Sequence, residues 1–474
     1  MNTKQLRLRI LDRAIRGKLV PQAPTDEPAS VLLERIRREK EELIKDKKLK
    51  REKRDIQPIE EVPFEIPEGW VWCRLGEVCD INPKNKLDDE LEVSFIPMPL
   101  ISDGFSNTHS FEVKKWNDIK KGYTHFCNGD IGVAKITPCF ENRKSVIFND
   151  LKNGVGAGTT EIYILRSNLA FNKYLFWVVK TQEFINKGIE SFTGAVGQQR
   201  VSKDFIENSF IPLPPLAEQH RIVQKIEQLF ALVDIIEVNK KALEKLIEQA
   251  KSQVLSDAIA GKLTRQDPNN EPAEELLKRI GKTTAFDTPY EKLPKGWAWC
   301  KLGDLTEFIR NGISIKQDKG LKGYPITRIE TISDGSINRE RMGYADIYDL
   351  SKYEQYLLTK GDILLSHINS PIHIGKSAVY TPISDEEKII HGMNLLCIRL
   401  KEVDSCFINY FFNSKTFRYS LFPFIKHAVN QASINIGNLR NIYIPLPPLA
   451  EQHRIVQQIE MYFAAFDQIE NELT

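Results

Sequence analysis

The sequence predicts an α+β chain: two globular mixed α/β domains and a paired helical rod, arranged as a circularly permuted two-fold repeat. Three observations predict this. Ile211 to Gln224 (IPLPPLAEQHRIVQ) recurs without change as Ile444 to Gln457, an offset of 233. Gly17-Lys18-Leu19 recurs as Gly261-Lys262-Leu263 and Glu27-Pro28-Ala29 as Glu271-Pro272-Ala273, an offset of 244. The first offset carries Thr474 to position 241 (474 − 233) and the second carries Met1 to position 245 (1 + 244). The two ends therefore meet inside a second copy of the helix that runs unbroken in the middle of the chain. Repeats of this kind fix the architecture before any other feature does.

Taken in order, residues 1–20 read as the N-terminal half of that second, distal helix, and 21–63 as a charged linker. Within the linker, residues 29–55 (ASVLLERIRREKEELIKDKKLKREKRD) suit a solvated helix or flexible segment, with a basic arm along a phosphate backbone or a partner subunit as the alternative. Residues 64–215 read as a first globular domain opening on IPEGWVWCRLGEV, and 293–448 as a second opening on LPKGWAWCKLGDL. Trp70 and Trp72, like Trp297 and Trp299, alternate as on a strand and read as core anchors. Gly129-Asp130-Ile131 matches Gly361-Asp362-Ile363, and Lys144-Ser145 matches Lys376-Ser377. A helix is expected near Asn172 to Lys187 and another near Ser405 to Ser420. The domains agree at these framing points and diverge between them.

The central helix is expected over 216–263, joined by a linker at 264–292, with 449–474 as the C-terminal half of the distal helix. Proline fixes φ and restrains the residue before it, so Pro212, Pro214 and Pro215 form an extended lead-in. Glu218 in the first turn suits the positive end of the helix dipole. Ile222, Ile226, Leu229, Val233, Ile236, Leu243, Ile247, Ala250 and Val254 step by threes and fours in most places, as a coiled-coil seam does. Gly261 is a stop. At ~1.5 Å per residue the rod would run roughly 65 Å. Its partners are Ile455, Ile459, Tyr462, Phe466 and Ile469 with Leu6, Ile10, Leu11 and Ile15.

Length and composition allow two or three domains, and a net charge of +2 does not by itself mark a nucleic-acid binder. The seven cysteines show no CxxC pair or metal-ligand spacing, which suits a reducing, cytoplasmic setting. No apolar run reaches the ~20 residues of a membrane span. Catalytic motifs are missing. Gly375-Lys376-Ser377 lacks the earlier glycine of a phosphate-binding loop, because Ser370 stands there. Gly154, Gly156 and Gly158 do not have dinucleotide spacing, and His367, His373 and His391 match no zinc pattern. Asn82-Pro83 is not followed by the residues of an amino-methyltransferase tetrapeptide.

PLPPLAEQHRIV leading twice into a long helix, with GWxWxxLG opening each of two unlike domains, resembles the specificity subunit of type I restriction-modification systems. The resemblance covers essentially the whole chain. It implies two target-recognition domains separated by two antiparallel helices that act as a ruler, each domain reading one half of a bipartite DNA target. It implies a subunit with no catalytic site and no cofactor of its own, bound to double-stranded DNA, two methyltransferase subunits and restriction subunits. S-adenosylmethionine, ATP and Mg are then expected in those partners. A coiled-coil scaffold with two ligand-binding heads is the competing reading. A specificity subunit of a related enzyme outside type I is the nearer variant.

Sequence readout needs side-chain donors and acceptors projected from a rigid base. In the first domain the candidates are Thr193, Gln198, Gln199 and Arg200, then Lys135, Asn142, Arg143 and Lys144. In the second they are Asn430, Gln431 and Ser433, with His367, Asn369, His373 and Lys376; Arg328, Arg339 and Arg341 are phosphate or base contacts. The expected docking surface for the methyltransferase subunits comprises Pro214, Pro215, Glu218, Gln219 and Arg221, and their repeats Pro447, Pro448, Glu451, Gln452 and Arg454.

Overall fold

In the computed structural model the described residues are 2–46, 62–167, 169–195, 198–282, 292–318, 322–333, 335–370, 373–428 and 431–473. They form two units, Met1–Asn239 and Lys240–Thr474. The central helix, Leu216–Ile259, contributes to both. All nine seam positions named above are buried or half-buried.

In the first unit the N-terminal helix Thr3–Ile15 packs antiparallel on the first half of the central helix. Arg7, itself 8% exposed, bonds Asp234 and Glu237, while Gln22 reaches Glu218 near the other end. Between these polar contacts Ile10, Leu11 and Ile15 share a core with Ile222, Ile226, Phe230 and Val233. The helix stops at a left-handed Gly17 (φ 64°), and the Lys18 N–H returns to the Arg13 carbonyl at 2.8 Å. The second unit repeats this. The C-terminal helix Leu449–Leu473 packs on the second half of the central helix, with Lys251 bridging Asp467 and Glu470. Gly261 (φ 67°) ends the central helix, and the Lys262 N–H bonds the Asp257 carbonyl at 2.8 Å. Two expected seam residues, Tyr462 and Ile469, face outward instead; the step from Ile459 is four residues, so Phe463 joins the core.

Each unit carries the same four-stranded sheet. Its spatial order in the first is Cys79–Ile81, Ile162–Ser167, Ile131–Ala134, Ser145–Ile147, and in the second Thr306–Asn311, Leu395–Leu400, Ile363–Ser366, Ser377–Val379. All pairs are antiparallel. The Gly-Asp-Ile motif explains itself here. Asp130 caps its turn by accepting the Cys127 N–H at 2.8 Å and pairs with Arg166 across the sheet at 2.7 Å. Asp362 does the same with the Thr359 N–H (2.8 Å) and Arg399 (2.7 Å). A buried carboxylate must be paired and hydrogen-bonded to be tolerated. The divergent part is a second sheet. It has four mixed strands in the first unit (Glu112–Lys115, Glu92–Ile96, Val155–Gly158, Thr124–Cys127) and three short ones in the second (Gln317–Asp318, Gly343–Ala345, Tyr324–Ile326).

Three expectations are refined. The helix expected near Asn172 to Lys187 is two helices, Asn172–Val179 and Gln182–Glu190, and its repeat is Ser405–Phe412 and Lys415–Leu421. The break falls where Thr181 and Ser414 turn their hydroxyls onto the N–H groups of Phe184 and Phe417 as N-caps. The charged segment contains a helix, Ala29–Lys45, and it is not wholly solvated: Ala29, Leu32, Leu33 and Ile36 are buried in the first unit's core. The remainder of that stretch lies outside the described residues.

Lys180 sits in the first of these breaks, fully buried, with Nζ donating to the carbonyls of Gly104 (2.7 Å) and Arg143 (3.0 Å). Burial, then the neighbouring Arg143 charge, brings its pKa down to about 7. An unfolded lysine titrates near ~10.4. Between those values the unfolded chain binds a proton the folded one lacks, so the first unit gains stability as pH rises from about 7. Lys180→Met should flatten that dependence, read as the urea midpoint at pH 7 against pH 9.5.

Candidate nucleic-acid interface and the repeated helix lead-in

Ile136 bridges Arg200, which also bridges Thr193, at one end of the first unit's shared sheet. Lys135 precedes this bridge and accepts the Val201 N–H at 2.8 Å; Thr137 follows it and donates to the Gln199 carbonyl at 3.0 Å. The loop therefore folds back onto the sheet end and gathers Lys135, Thr193, Gln198, Gln199 and Arg200 on one edge. Thr193 and Gln198 are exposed; Lys135, Gln199 and Arg200 are half-exposed. Glu161, which no sequence motif marks, belongs here too, as the partner of Arg200.

The second unit builds the same edge at the same place. Ile368–Asn369 pairs with Gln431–Ser433, which pairs with Lys426–Ala428. By register Ile136 corresponds to Ile368, Arg200 to Ser433 and Thr193 to Lys426. Asn369 and Ser433 are half-exposed, His373 is exposed and Lys376 is half-exposed. Gln431 contributes its main chain to the strand, and Asn430 lies outside the described residues.

Other candidates sit elsewhere. Arg143 is 6% exposed, with its guanidinium bonded to the Lys180 carbonyl at 3.1 Å and to Gln182. It holds the helix break from within, so as a base reader it is corrected. His367 is likewise 6% exposed, and burial lowers its pKa. A buried ring between the strands Ile363–Ser366 and Ile368–Asn369 has no path to a groove, and this candidate is corrected too. Asn142 is exposed and Lys144 half-exposed, one turn from the edge. In the second unit Arg328 donates to Gln317 at 2.6 Å and Arg339 forms a two-point pair with Glu387 at 2.7 and 2.9 Å. Arg341 is exposed.

The docking candidates need a larger correction. Glu218 accepts the Trp70 Nε1–H at 3.0 Å and the Gln22 amide at 3.1 Å. Gln219 accepts the Phe171 N–H at 2.8 Å and donates to the Pro214 carbonyl at 2.9 Å. In the repeat, Glu451 accepts from Trp297 at 3.1 Å and bonds Gln266; Gln452 accepts the Asp404 N–H and donates to the Pro447 carbonyl, both at 2.9 Å. These four side chains and Pro214, Pro215, Pro447 and Pro448 are buried. They lock each helix start to its own unit, so they are not a free surface. Arg221 is half-buried and pairs with Asp26 at 2.6 Å, and Arg454 is half-buried. The exposed members of the repeat are Ala217, His220 and Gln224, with Ala450, His453 and Gln457.

Two unlike heads on one shared frame, each with a polar edge at the same sheet end, define a class: a two-headed recognition subunit. No cluster able to hold a metal occurs among the described residues, and no described helix is long and apolar enough to cross a membrane. The type I restriction modification DNA specificity domain matches residues 67–245 and 294–474, and the chain belongs to that family. It is 38% identical to the EcoAI specificity subunit of Escherichia coli over 96% of this chain and 88% of the relative. It is 36% identical to the E. coli EcoEI specificity subunit over 99% and 90%. The HsdS subunit from Thermoanaerobacter tengcongensis shares the fold, with a TM-score of 0.57 at 23% identity over 87% of this chain and 95% of that one. A structure of a type I restriction-modification assembly gives 0.60 at 22% identity over 87% and 96%. The role is therefore that of a non-catalytic DNA sequence-specificity subunit that recognises a bipartite target and directs methylation and restriction by partner subunits.

Proposed function

We propose that the polar edge at the end of each shared sheet is the base-reading surface, one edge per half-site. The observation that carries this is the matched bridge: Ile136, Arg200 and Thr193 occupy the positions of Ile368, Ser433 and Lys426. A common frame with different side chains at one place is what two readers of different sequence require. Glutamine suits adenine and arginine suits guanine in the major groove. Residues 64–215 and 293–448 are then the two recognition domains, and the helices between them set the spacer. Replacing Gln198, Gln199 and Arg200 together by alanine should abolish recognition of one half-site, read as loss of its methylation motif. Unchanged recognition of both half-sites would remove this edge from the interface.

The exposed, repeated residues are the docking surface for two methyltransferase subunits. Identity at buried positions follows from packing. Ala217 and Gln224 recur as Ala450 and Gln457 although exposed, where packing asks least; His220 stacks on Phe171 at 4.0 Å and His453 lies 3.5 Å from Asp404, so those two also serve their own unit. Ala217, Gln224, Ala231 and Val238 recur every seven residues, all exposed, beside exposed Leu232 and Ile235. Its Ala, Leu, Ile and Val members make an apolar stripe of the kind that marks an interface. In the second copy Leu232, Ile235 and Val238 become Ala465, Gln468 and Asn471, so the stripe belongs to the first copy and the repeated exposed positions to both. Ala217→Asp or Ala450→Asp alone should leave one methyltransferase per chain, and both together none, as read by native mass of the co-purified complex. Restriction subunits join that core, and the assembly works in the cytoplasm.

A further inference from the structure

Arg200 is aimed rather than free. Its side chain is 42% exposed on the first unit's polar edge. Its Nε donates to Glu161 Oε2 at 2.9 Å and its Nη2 to Oε1 at 3.0 Å, which fixes the guanidinium plane. Its Nη1 donates to the Gln198 carbonyl at 3.0 Å. A guanidinium has five N–H groups. Three are used, so one remains on each terminal nitrogen.

Glu161 is held in turn. Its N–H donates to Thr159 Oγ1 at 3.1 Å, its carbonyl accepts the Lys135 N–H at 3.0 Å, and it directly precedes the strand Ile162–Ser167. The Arg200 bonds also keep its carboxylate below the usual pKa range, so it is ionised at working pH.

An arginine that only attracts phosphate works best unpaired, because a carboxylate beside it cancels its charge and repels the backbone. Here net attraction is given up for orientation. Orientation is what base readout uses, since two parallel donors match O6 and N7 of guanine. By the 233 offset the second unit has Asn394 and Ser433 at these positions, so the device belongs to one head only.

We propose that Arg200 reads a guanine in the first head's half-site and that Glu161 is its positioning residue. This rests on the reading of the polar edge as the base-contacting surface. The test compares the chain in complex with its methyltransferase, as wild type, Arg200→Ala, Glu161→Gln and the Gln198→Ala/Gln199→Ala pair. Methylated motifs are mapped, and binding to target and unrelated duplexes is measured at two salt concentrations. Arg200→Ala should relax one guanine position, with a loss of discrimination of roughly tenfold or more, and leave the other half-site intact. Glu161→Gln should weaken preference at that same position while binding to unrelated DNA holds or rises, because a negative charge has gone. A purely structural strut would lose affinity and specificity together.

A wild-type half-site without guanine overturns the proposal. So does an Arg200→Ala variant that keeps the motif but binds all DNA more weakly with a shallower salt dependence, which marks a phosphate contact. If the glutamine pair relaxes the half-site and Arg200→Ala does not, only this inference falls. If neither does, the polar edge is not the reading surface.

Discussion

Insertion of four residues between Lys240 and Lys241 should change the spacer of the DNA target and leave both half-site sequences unaltered. Four residues lengthen a helix by about 6 Å and turn it about 40° beyond a full revolution. One turn of DNA, ~10 base pairs, spans roughly 34–36 Å, so the spacer should shift by one or two base pairs. The site is set by the unit boundary. It lies one residue past the boundary between the units Met1–Asn239 and Lys240–Thr474, after the contacts of Arg7 with Asp234 and Glu237 and before those of Lys251 with Asp467 and Glu470. Methylation mapping of the insertion variant checks this. An unchanged spacer would mean that the rod does not set the separation of the half-sites.

Glu218→Ala should destabilise the first unit by about 1–3 kcal/mol, the cost of leaving a buried hydrogen-bonding group unpaired. The buried group is the Trp70 Nε1–H; Gln22 is exposed and keeps the Gly17 carbonyl at 2.8 Å. Glu451→Ala should cost the second unit less, because the Trp297 Nε1–H also donates to Gln266 Oε1 at 3.2 Å. Two unfolding transitions in calorimetry would show each variant acting on its own unit. Glu218→Gln separates bonding from charge, because an amide oxygen still accepts from Trp70. Burial raises the Glu218 pKa above its ordinary value. Below the unfolded pKa, near ~4.3, both states are protonated and the contribution is whole. It is lost as pH rises through the folded value, where the folded state holds a proton the unfolded state has released. Glu218→Gln should therefore track wild type in acid and gain on it as pH rises toward neutrality.

The repeat was legible because identical residues recur at fixed offsets, and it led directly to the paired helices and the family, but not to the strand pairing of the shared sheet. What those identities are for was not legible. Glu218 and Gln219 recur as faithfully as Ala217 and His220, yet the first two are buried and the last two exposed. Identity marks a constraint without saying whether it comes from packing or from a partner; burial decides. The bonds that hold each helix start could have been assembled from the sequence, since Gln22 and Gln266 obey the 244 offset, Glu218 and Glu451 the 233 offset, and Trp70 and Trp297 hold the same place in the two domain openings. Thr181 and Ser414 also carried a readable cap signal that a single-helix expectation overrode. Arg200 stood in the first set of candidates and Arg143 in the second, both as loop arginines. Only the fold separates the one wedged under Lys180 from the one held at an edge by Glu161, which lies 39 residues away and bears no local mark.

The central claim is that this chain supplies DNA specificity to a methyltransferase. The direct test is single-molecule mapping of methyladenine after expressing the cognate methyltransferase subunit with and without this chain. The account predicts a bipartite motif present only with the chain, giving both half-sites and the spacer together. The same methylation with and without it, in a complex shown to assemble, would contradict the claim and leave a two-headed scaffold.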